Sequence, residues 1–280
     1  MLTLRDAAAD LVLGGSCAGC LRPGRRLCPA CRASLRAKPR LVWPDPVPLG
    51  LTIPVPVPPY AMAVYAGAVR AMLLGHKEQR RYGLRRPLGV ALAAVVEYAL
   101  GALPGAVGES VTPGLTTVGE RVTVGRPVTL VPVPSSPAAV KMRGHDPVLA
   151  MSQAAASTLR RCGVDARVRT VLRHARVVDD QAGLTATARA GNLAGAFAAT
   201  TSASTSASTS ASTSATTCAT TSATTSATTS GPITRVIVVD DVITTGATLA
   251  EAVRALRAAG TQPFALATVA ATPRTYLPHR

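Results

Sequence analysis

Aromatic residues are scarce in this chain of 280 residues, because tryptophan, tyrosine and phenylalanine together make up only 3% of it. Apolar residues as a whole reach 48%, so a hydrophobic core must be built from valine, leucine and alanine. The same scarcity argues against recognition of single-stranded nucleic acid by base stacking. The length is sufficient for one large domain, or two smaller ones, with a buried core.

Lysine is also rare, and the only examples are Lys38, Lys77 and Lys141. The formal charge of +16 is carried almost entirely by arginine. So basic a surface suits phosphate-rich ligands or nucleic acid. A genome-wide preference for arginine over lysine explains the composition equally well.

Long uninterrupted apolar runs are missing from the sequence. A membrane span requires roughly 18–20 such residues, whereas residues 88–103 form too short a run and contain Glu97. Arg5, Asp6 and Asp10 interrupt the first residues, which predicts an amphipathic helix rather than a signal peptide. We therefore expect a cytoplasmic protein without membrane insertion, whose cysteines stay reduced unless they bind metal.

Four cysteines lie close together in the segment CAGCLRPGRRLCPAC. Two C-x-x-C pairs at this spacing can place four thiolates around a tetrahedral Zn²⁺. The predicted ligands of a structural zinc in a module of residues 1–37 are Cys17, Cys20, Cys28 and Cys31. The alternative is four ordinary buried cysteines.

The rest of the chain divides by composition. Residues 38–59 are dense in proline, which predicts an extended connector and excludes a helix or a central strand. Residues 60–280 alternate strand, loop and helix, which predicts an α/β domain with a mainly parallel sheet flanked by helices. Within it, residues 134–145 are predicted to form a loop. Residues 198–230 consist mostly of serine, threonine and alanine and are predicted to form a disordered insertion.

The segment VIVVDDVITTGAT, residues 236–248, combines a buried strand, two aspartates and a turn rich in threonine. Such a strand should end at the carboxyl edge of the sheet, where α/β proteins bind ligands. The turn at Thr244–Thr248 leads into a helix N-terminus, which favours an anion. Asp240 and Asp241 can accept hydrogen bonds from sugar hydroxyls or bind a metal. A phosphorylated ribose with Mg²⁺ satisfies these features, although an acidic strand end with a polar turn would have the same composition.

This segment resembles the phosphoribosyl-pyrophosphate (PRPP) signature of type I phosphoribosyltransferases. The wider order of motifs is similar to that of the ComF family, the competence- and GntX-like proteins that join a zinc ribbon to such a domain. The motifs are CAGC…CPAC, LLGHKEQRRYGL, VPVPSSPAAVKMRGHDPV, QAGLTATARAGNLAGAF and VIVVDDVITTGAT. The resemblance implies a type I phosphoribosyltransferase-like fold, with PRPP and Mg²⁺ as ligand and cofactor.

The resemblance also implies a role for each residue that matches these motifs. PRPP would be bound at its ribose and 5′-phosphate by Asp240, Asp241, Thr244, Thr245, Gly246, Ala247 and Thr248. Pyrophosphate would meet the catalytic candidates Arg143 and Lys141, together with Lys77, Gly144 and His145. A solvated helix end is an equally good interpretation of Lys77. A mobile loop closing over PRPP would contain Gln181, Arg189 and Asn192.

Two functional hypotheses follow from the resemblance. The first is a transferase that moves phosphoribose to an unidentified acceptor and releases pyrophosphate. The second is a non-catalytic protein that binds PRPP or a nucleotide and acts in DNA uptake, with nucleic acid or another uptake component as partner. Purine-salvage members of the fold carry an aspartate where this chain has Thr244, which weakens the case for a purine acceptor.

Overall fold

The computed structural model describes residues 15–102, 127–176, 192–200 and 234–273. Its main sheet has six strands in the order β1-β2-β8-β7-β3-β4. A separate two-stranded antiparallel sheet pairs β5 with β6. The strands are β1 (Arg40–Leu41), β2 (Pro59–Val64), β3 (Val128–Pro132), β4 (Ala166–Val168), β5 (Leu172–His174), β6 (Phe197–Ala199), β7 (Arg235–Ile243) and β8 (Ala265–Ala271).

All neighbouring strands from β2 to β4 in this order pair in parallel, and only the edge strand β1 runs antiparallel. The two central strands are covered on both faces, which explains why their sequences are nearly continuous apolar runs. In β7, Ile237 and Val239 pack on one side of the sheet, and Val238 packs on the other. The predicted fold class, a mainly parallel sheet flanked by helices, is confirmed.

Helices cover both faces of this sheet. They are α1 (Pro29–Ala33), α2 (Leu49–Thr52), α3 (Gly67–Lys77), α4 (Arg85–Ala102), α5 (Pro137–Arg143), α6 (Pro147–Arg161) and α7 (Ala247–Ala258), with a 3₁₀ turn at Tyr82–Leu84. Asp146 caps α6 by accepting a hydrogen bond from the N–H of Leu149. None of the helices in the described ranges is long and apolar enough to cross a bilayer.

Two hydrophobic clusters lie on opposite faces of the sheet. The first packs α3, α4 and α6 against it and includes Cys17 and Cys31 of the N-terminal module. The second packs α7 and the β5–β6 sheet against the other face and includes Val42, Leu51 and Val57 of the connector. The cysteine module (residues 15–37) and the connector (residues 38–59) are therefore integral to the core of the domain.

Several predicted loops contain regular structure. The connector contributes the edge strand β1 and the four-residue helix α2, so the expectation of a purely extended segment was wrong. Three of its apolar side chains, Val42, Leu51 and Val57, are buried and fold it onto the domain. The predicted loop at 134–145 contains α5, which Ser136 caps. Strand β6 includes Ala198 and Ala199, which were predicted to open the disordered insertion; residues 201–230 and the predicted first helix lie outside the described residues.

Candidate functional site

A cavity of about 430 Å³ lies at the carboxyl edge of the sheet, where β7 and β3 end. Five helices and strands, together with the loops beside them, contribute side chains to its wall. The described residues that line it are Tyr65, Leu73, Leu74, Lys77, Glu78, Val133, Pro134, Ser135, Arg143, Val148, Asp240, Asp241, Val242, Thr244 and Thr248. Six of these, Lys77, Arg143, Asp240, Asp241, Thr244 and Thr248, were predicted to be site residues. Tertiary structure therefore joins candidates from three distant segments.

The two aspartates differ in their environment. Asp240 is 9% exposed, and its Oδ1 accepts a hydrogen bond of 2.8 Å from the N–H of Asp241. Burial raises the pKa of Asp240 well above its ordinary value, and the negative charge of Asp241 adds to the effect, while Lys77 opposes it. Asp240 is thus a carboxyl group that a bound cation or a hydrogen-bond donor would stabilise in its charged form.

Lys77 ends α3 and faces the aspartates across the cavity. Its Nζ donates to Oδ2 of Asp241 at 3.2 Å. The charge of Asp241 raises the pKa of Lys77, with burial acting in the opposite direction. Lys77 therefore lines the cavity and pairs with an aspartate, and its role at the site stays a prediction.

Arg143 ends α5 and forms a two-point ion pair with Glu78, the residue after Lys77. Its Nε donates to Oε2 of Glu78 at 2.9 Å, and its Nη2 lies 2.9 Å from Oε1. Sequence analysis missed Glu78, because the pair spans 65 positions of the chain and has no local pattern. The only available signal was its position next to Lys77.

The other residues predicted near pyrophosphate lie outside the described cavity wall. Lys141 is exposed on α5, and Gly144 ends that helix with a left-handed φ of 77°. The ring of His145 packs between the backbone and Tyr82, with Nε2 at 3.1 Å from the carbonyl oxygen of His76 and an edge-on ring contact to Tyr82. His145 therefore joins the end of α3 to the turn after α5.

Ser135 is a second wall residue that sequence analysis missed. Its Oγ lies 3.3 Å from Oδ1 of Asp146, and its N–H donates to Oδ2 of the same carboxylate at 3.4 Å. Because Asp146 also caps α6, one side chain fixes both the loop after β3 and the start of this helix. Asp146 thus connects the cavity wall to the start of α6.

The threonine turn (Thr244–Thr248) connects β7 to α7. Gly246 occupies the N-cap with a left-handed φ of 73° and provides no side chain to cap the first N–H groups of the helix. Thr244 and Thr248 line the cavity. Gly246 and Ala247 are buried, and a Cβ on Gly246 would lie 2.8 Å from Cγ of Pro44 in the connector. The connector thus packs directly against the turn.

The predicted mobile loop is only partly described, because Gln181 and Arg189 lie outside the described residues. Asn192 is half-buried, and its carbonyl oxygen accepts a hydrogen bond of 2.6 Å from Nη2 of Arg176. Beyond it, Glu251 of α7 accepts from the N–H of Phe197 at 3.0 Å and pairs with Arg254 at 2.7 Å. These contacts anchor β6, and with it the end of that loop, to the helix of the threonine turn.

The four predicted metal ligands form one cluster. Their sulfur atoms all lie within 4.8 Å of one another, and Sγ of Cys20 is 3.7 Å from Sγ of Cys28. Tetrahedral Zn²⁺ with Zn–S bonds of about 2.3 Å separates its sulfur ligands by about 3.8 Å. The N–H of Cys28 also donates to Sγ of Cys17 at 3.3 Å, which favours a thiolate. The geometry fits a structural zinc.

The mainly parallel sheet, with acidic and threonine-rich groups at its carboxyl edge, defines an α/β protein whose candidate site lies where such folds bind ligands. Within that class, residues 185–280 match the family model described as the phosphoribosyl transferase domain. The match covers about the last third of the chain and includes β7, the threonine turn and α7. No curated protein matches the chain.

Proposed function

We propose that the protein binds PRPP with Mg²⁺ and transfers its phosphoribosyl group to an acceptor, with release of pyrophosphate. One observation carries the proposal: Asp240, Asp241 and two residues of the threonine turn, Thr244 and Thr248, share a single cavity with Lys77 and Arg143. The cavity thus combines acceptors for sugar hydroxyls, hydroxyl groups beside a helix N-terminus, and two cations. PRPP presents the complementary groups, namely a ribose diol, a 5′-phosphate and a diphosphate.

Asp240 and Asp241 would accept hydrogen bonds from the ribose hydroxyls. The hydroxyls of Thr244 and Thr248, with the N–H groups at the start of α7, would hold the 5′-phosphate. Mg²⁺ suits a site with carboxylate and phosphate oxygens, and it would add positive charge at the diphosphate. Mg²⁺ bound near Asp240 would lower its raised pKa and thereby favour the charged carboxylate.

The transfer breaks the bond between the ribose anomeric carbon and the diphosphate oxygen, and the diphosphate leaves with the electron pair. The acceptor then forms a new bond to the anomeric carbon and gives up its proton. Positive charge develops on the sugar while negative charge grows on the leaving group. Lys77 and Arg143 would stabilise that negative charge, so the protein acts by positioning and electrostatics.

Calorimetric titration of the zinc-loaded protein with Mg²⁺ and PRPP tests this proposal. We expect saturable binding to the wild type and its loss in an Asp240→Asn/Asp241→Asn variant. Asp165→Asn is the matched control, since Asp165 is an exposed carboxylate at the amino end of β4, where it pairs with Arg167 and does not line the cavity. Absence of binding to the folded wild type would contradict the proposal. Pyrophosphate release with a panel of bases and amines would then identify the acceptor.

A second candidate function is a non-catalytic one, in which PRPP or nucleotide binding serves DNA uptake. The observation in its favour is a basic surface on the cysteine module and the start of the connector. Between residues 15 and 44 the chain has no acidic residue, and its basic residues are all exposed: Arg22, Arg25, Arg26, Arg32, Arg36, Lys38 and Arg40. Saturable PRPP binding without pyrophosphate release for any acceptor, together with salt-sensitive DNA binding, would favour this function.

A further inference from the structure

Two adjacent residues at the end of α3 tie together opposite walls of the cavity. Lys77 pairs with Asp241 of β7 at 3.2 Å, and Glu78 pairs with Arg143 of α5 at 2.9 Å. Neighbouring residues of opposite charge thus reach two elements that are far apart in sequence. The proposed function uses Lys77 and Arg143 and leaves Glu78 without a role.

Glu78 holds Arg143 at one edge of its guanidinium group. The two bonds, from Nε to Oε2 and from Nη2 to Oε1, are both 2.9 Å long. A guanidinium group has five N–H donors, so this fork leaves the Nη1 edge available to an anion. The side chain of Arg143 is 16% exposed against 44% for Glu78, which places the arginine on the inner side of the pair.

Lys77 and Arg143 also repel one another, since the charge of Arg143 acts to lower the pKa of Lys77. Two cations that line one cavity need counter-charges to stay in place before an anion arrives. Asp241 provides one for Lys77, and Glu78 provides one for Arg143. Without Glu78, repulsion and side-chain entropy would both favour movement of Arg143 away from the cavity.

We propose that Glu78 is a positioning residue that orients Arg143 toward a diphosphate group bound in the cavity. This inference rests on the proposed function for the identity of the anion. Glu78 does not itself contact the ligand. Its removal therefore weakens diphosphate binding even though it also removes a negative charge from the site.

The first test observes the pair without ligand. The ¹H–¹⁵N signal of the Arg143 Nε–H group can be assigned by its loss in Arg143→Gln. In the wild type, the proton of this group should be protected from exchange with solvent. Glu78→Gln should abolish that protection, while Asp165→Asn, which breaks an exposed arginine pair elsewhere, should preserve it. An unprotected Nε–H in the wild type would overturn the proposal.

The second test titrates each variant with inorganic pyrophosphate and with Mg²⁺ and PRPP. Glu78→Gln and the charge-preserving but shorter Glu78→Asp should each weaken binding of both probes about fivefold. In an Arg143→Gln background, Glu78→Gln should cause no further loss, and the thermal midpoint of each variant should confirm that it is folded. Tighter or unchanged binding in Glu78→Gln, or additive losses, would overturn the positioning role.

The two probes separate this inference from the proposed function. Pyrophosphate binding that depends on Glu78, without PRPP binding, would overturn the proposed function and preserve the role of Glu78. PRPP binding that is unchanged in the Glu78 variants would support the proposed function and overturn the positioning role of Glu78. A wild type that binds neither probe would overturn both.

Discussion

Replacement of Gly246 by alanine tests how strongly the connector supports the threonine turn. Gly246 has a φ of 73°, a region that costs a non-glycine residue about 1–2 kcal/mol. The new Cβ would also lie 2.8 Å from Cγ of Pro44 and 3.4 Å from Cγ of Pro48. Proline rings cannot rotate away, so this overpacking costs a further amount of about 1–3 kcal/mol.

The sum predicts a loss of about 2–5 kcal/mol in unfolding free energy, and a fall of roughly 4–20 °C in Tm. Urea and thermal denaturation followed by circular dichroism measure both quantities. Two matched glycine-to-alanine changes separate the contributions. Gly163 has a φ of 87° with no atom within 4 Å, so its replacement should cost only about 1–2 kcal/mol. Gly83 has open space and no such φ, so its replacement should cost less than about 0.5 kcal/mol.

The difference between Gly246→Ala and Gly163→Ala isolates the contact with the connector. Equal losses in these two variants would refute the reasoning, because they would mean that Pro44 and Pro48 do not press on the turn. A further change of Pro44 to alanine in the Gly246→Ala background should recover part of the stability. This recovery would assign the loss to that ring.

Three further predictions concern other parts of the chain. Chelation of metal, or Cys31→Ser, should remove zinc from the protein and lower the Tm of the whole domain, because Cys31 belongs to the main hydrophobic cluster. Asp240→Asn should raise the free energy of unfolding at neutral pH. The pKa of Asp240 is higher in the folded than in the unfolded state, so ionisation of this carboxyl group destabilises the protein as pH rises from the unfolded-state pKa through the folded-state pKa. Asparagine does not ionise, so the gain should vanish near pH 4. Arg257→Lys should cost about 1–2 kcal/mol, because Arg257 donates to the carbonyl oxygens of Gly50, Ile53 and Val55 and thereby ties the connector to α7.

Each of these predictions has a control or a result that would contradict it. Cys162→Ser changes an exposed cysteine outside the cluster and should alter neither zinc content, measured by mass spectrometry, nor Tm. A stability gain of Asp240→Asn that is independent of pH would contradict the assigned pKa shift. Arg161→Lys, on an arginine that contacts only neighbouring side chains of its own helix in the described structure, should cost less than Arg257→Lys in urea denaturation. Equal costs would show that the connector is not held by Arg257.

Local sequence determined the elements whose signals are short in range. The apolar run before Asp240 predicts a buried strand, because only a strand covered on both faces is apolar at every position. Asp146 followed by Pro147 predicts a helix start, since the cap and the fixed φ act within one turn. The spacing of the four cysteines likewise predicts their cluster, because the metal geometry limits the chain between the pairs.

Tertiary structure alone decided which of the charged groups share the cavity. Lys77, Arg143 and Asp241 lie in separate segments, and the parallel sheet brings their elements together at one edge. The pairing of Glu78 with Arg143 and the packing of Pro44 on Gly246 have no counterpart in local composition. The composition of the proline-rich connector predicts an extended segment. In the structure, burial of Leu51 and the hydrogen bonds of Arg257 fold the connector onto α7. Such contacts depend on the distance between elements in space, which periodicity and spacing along the chain do not encode.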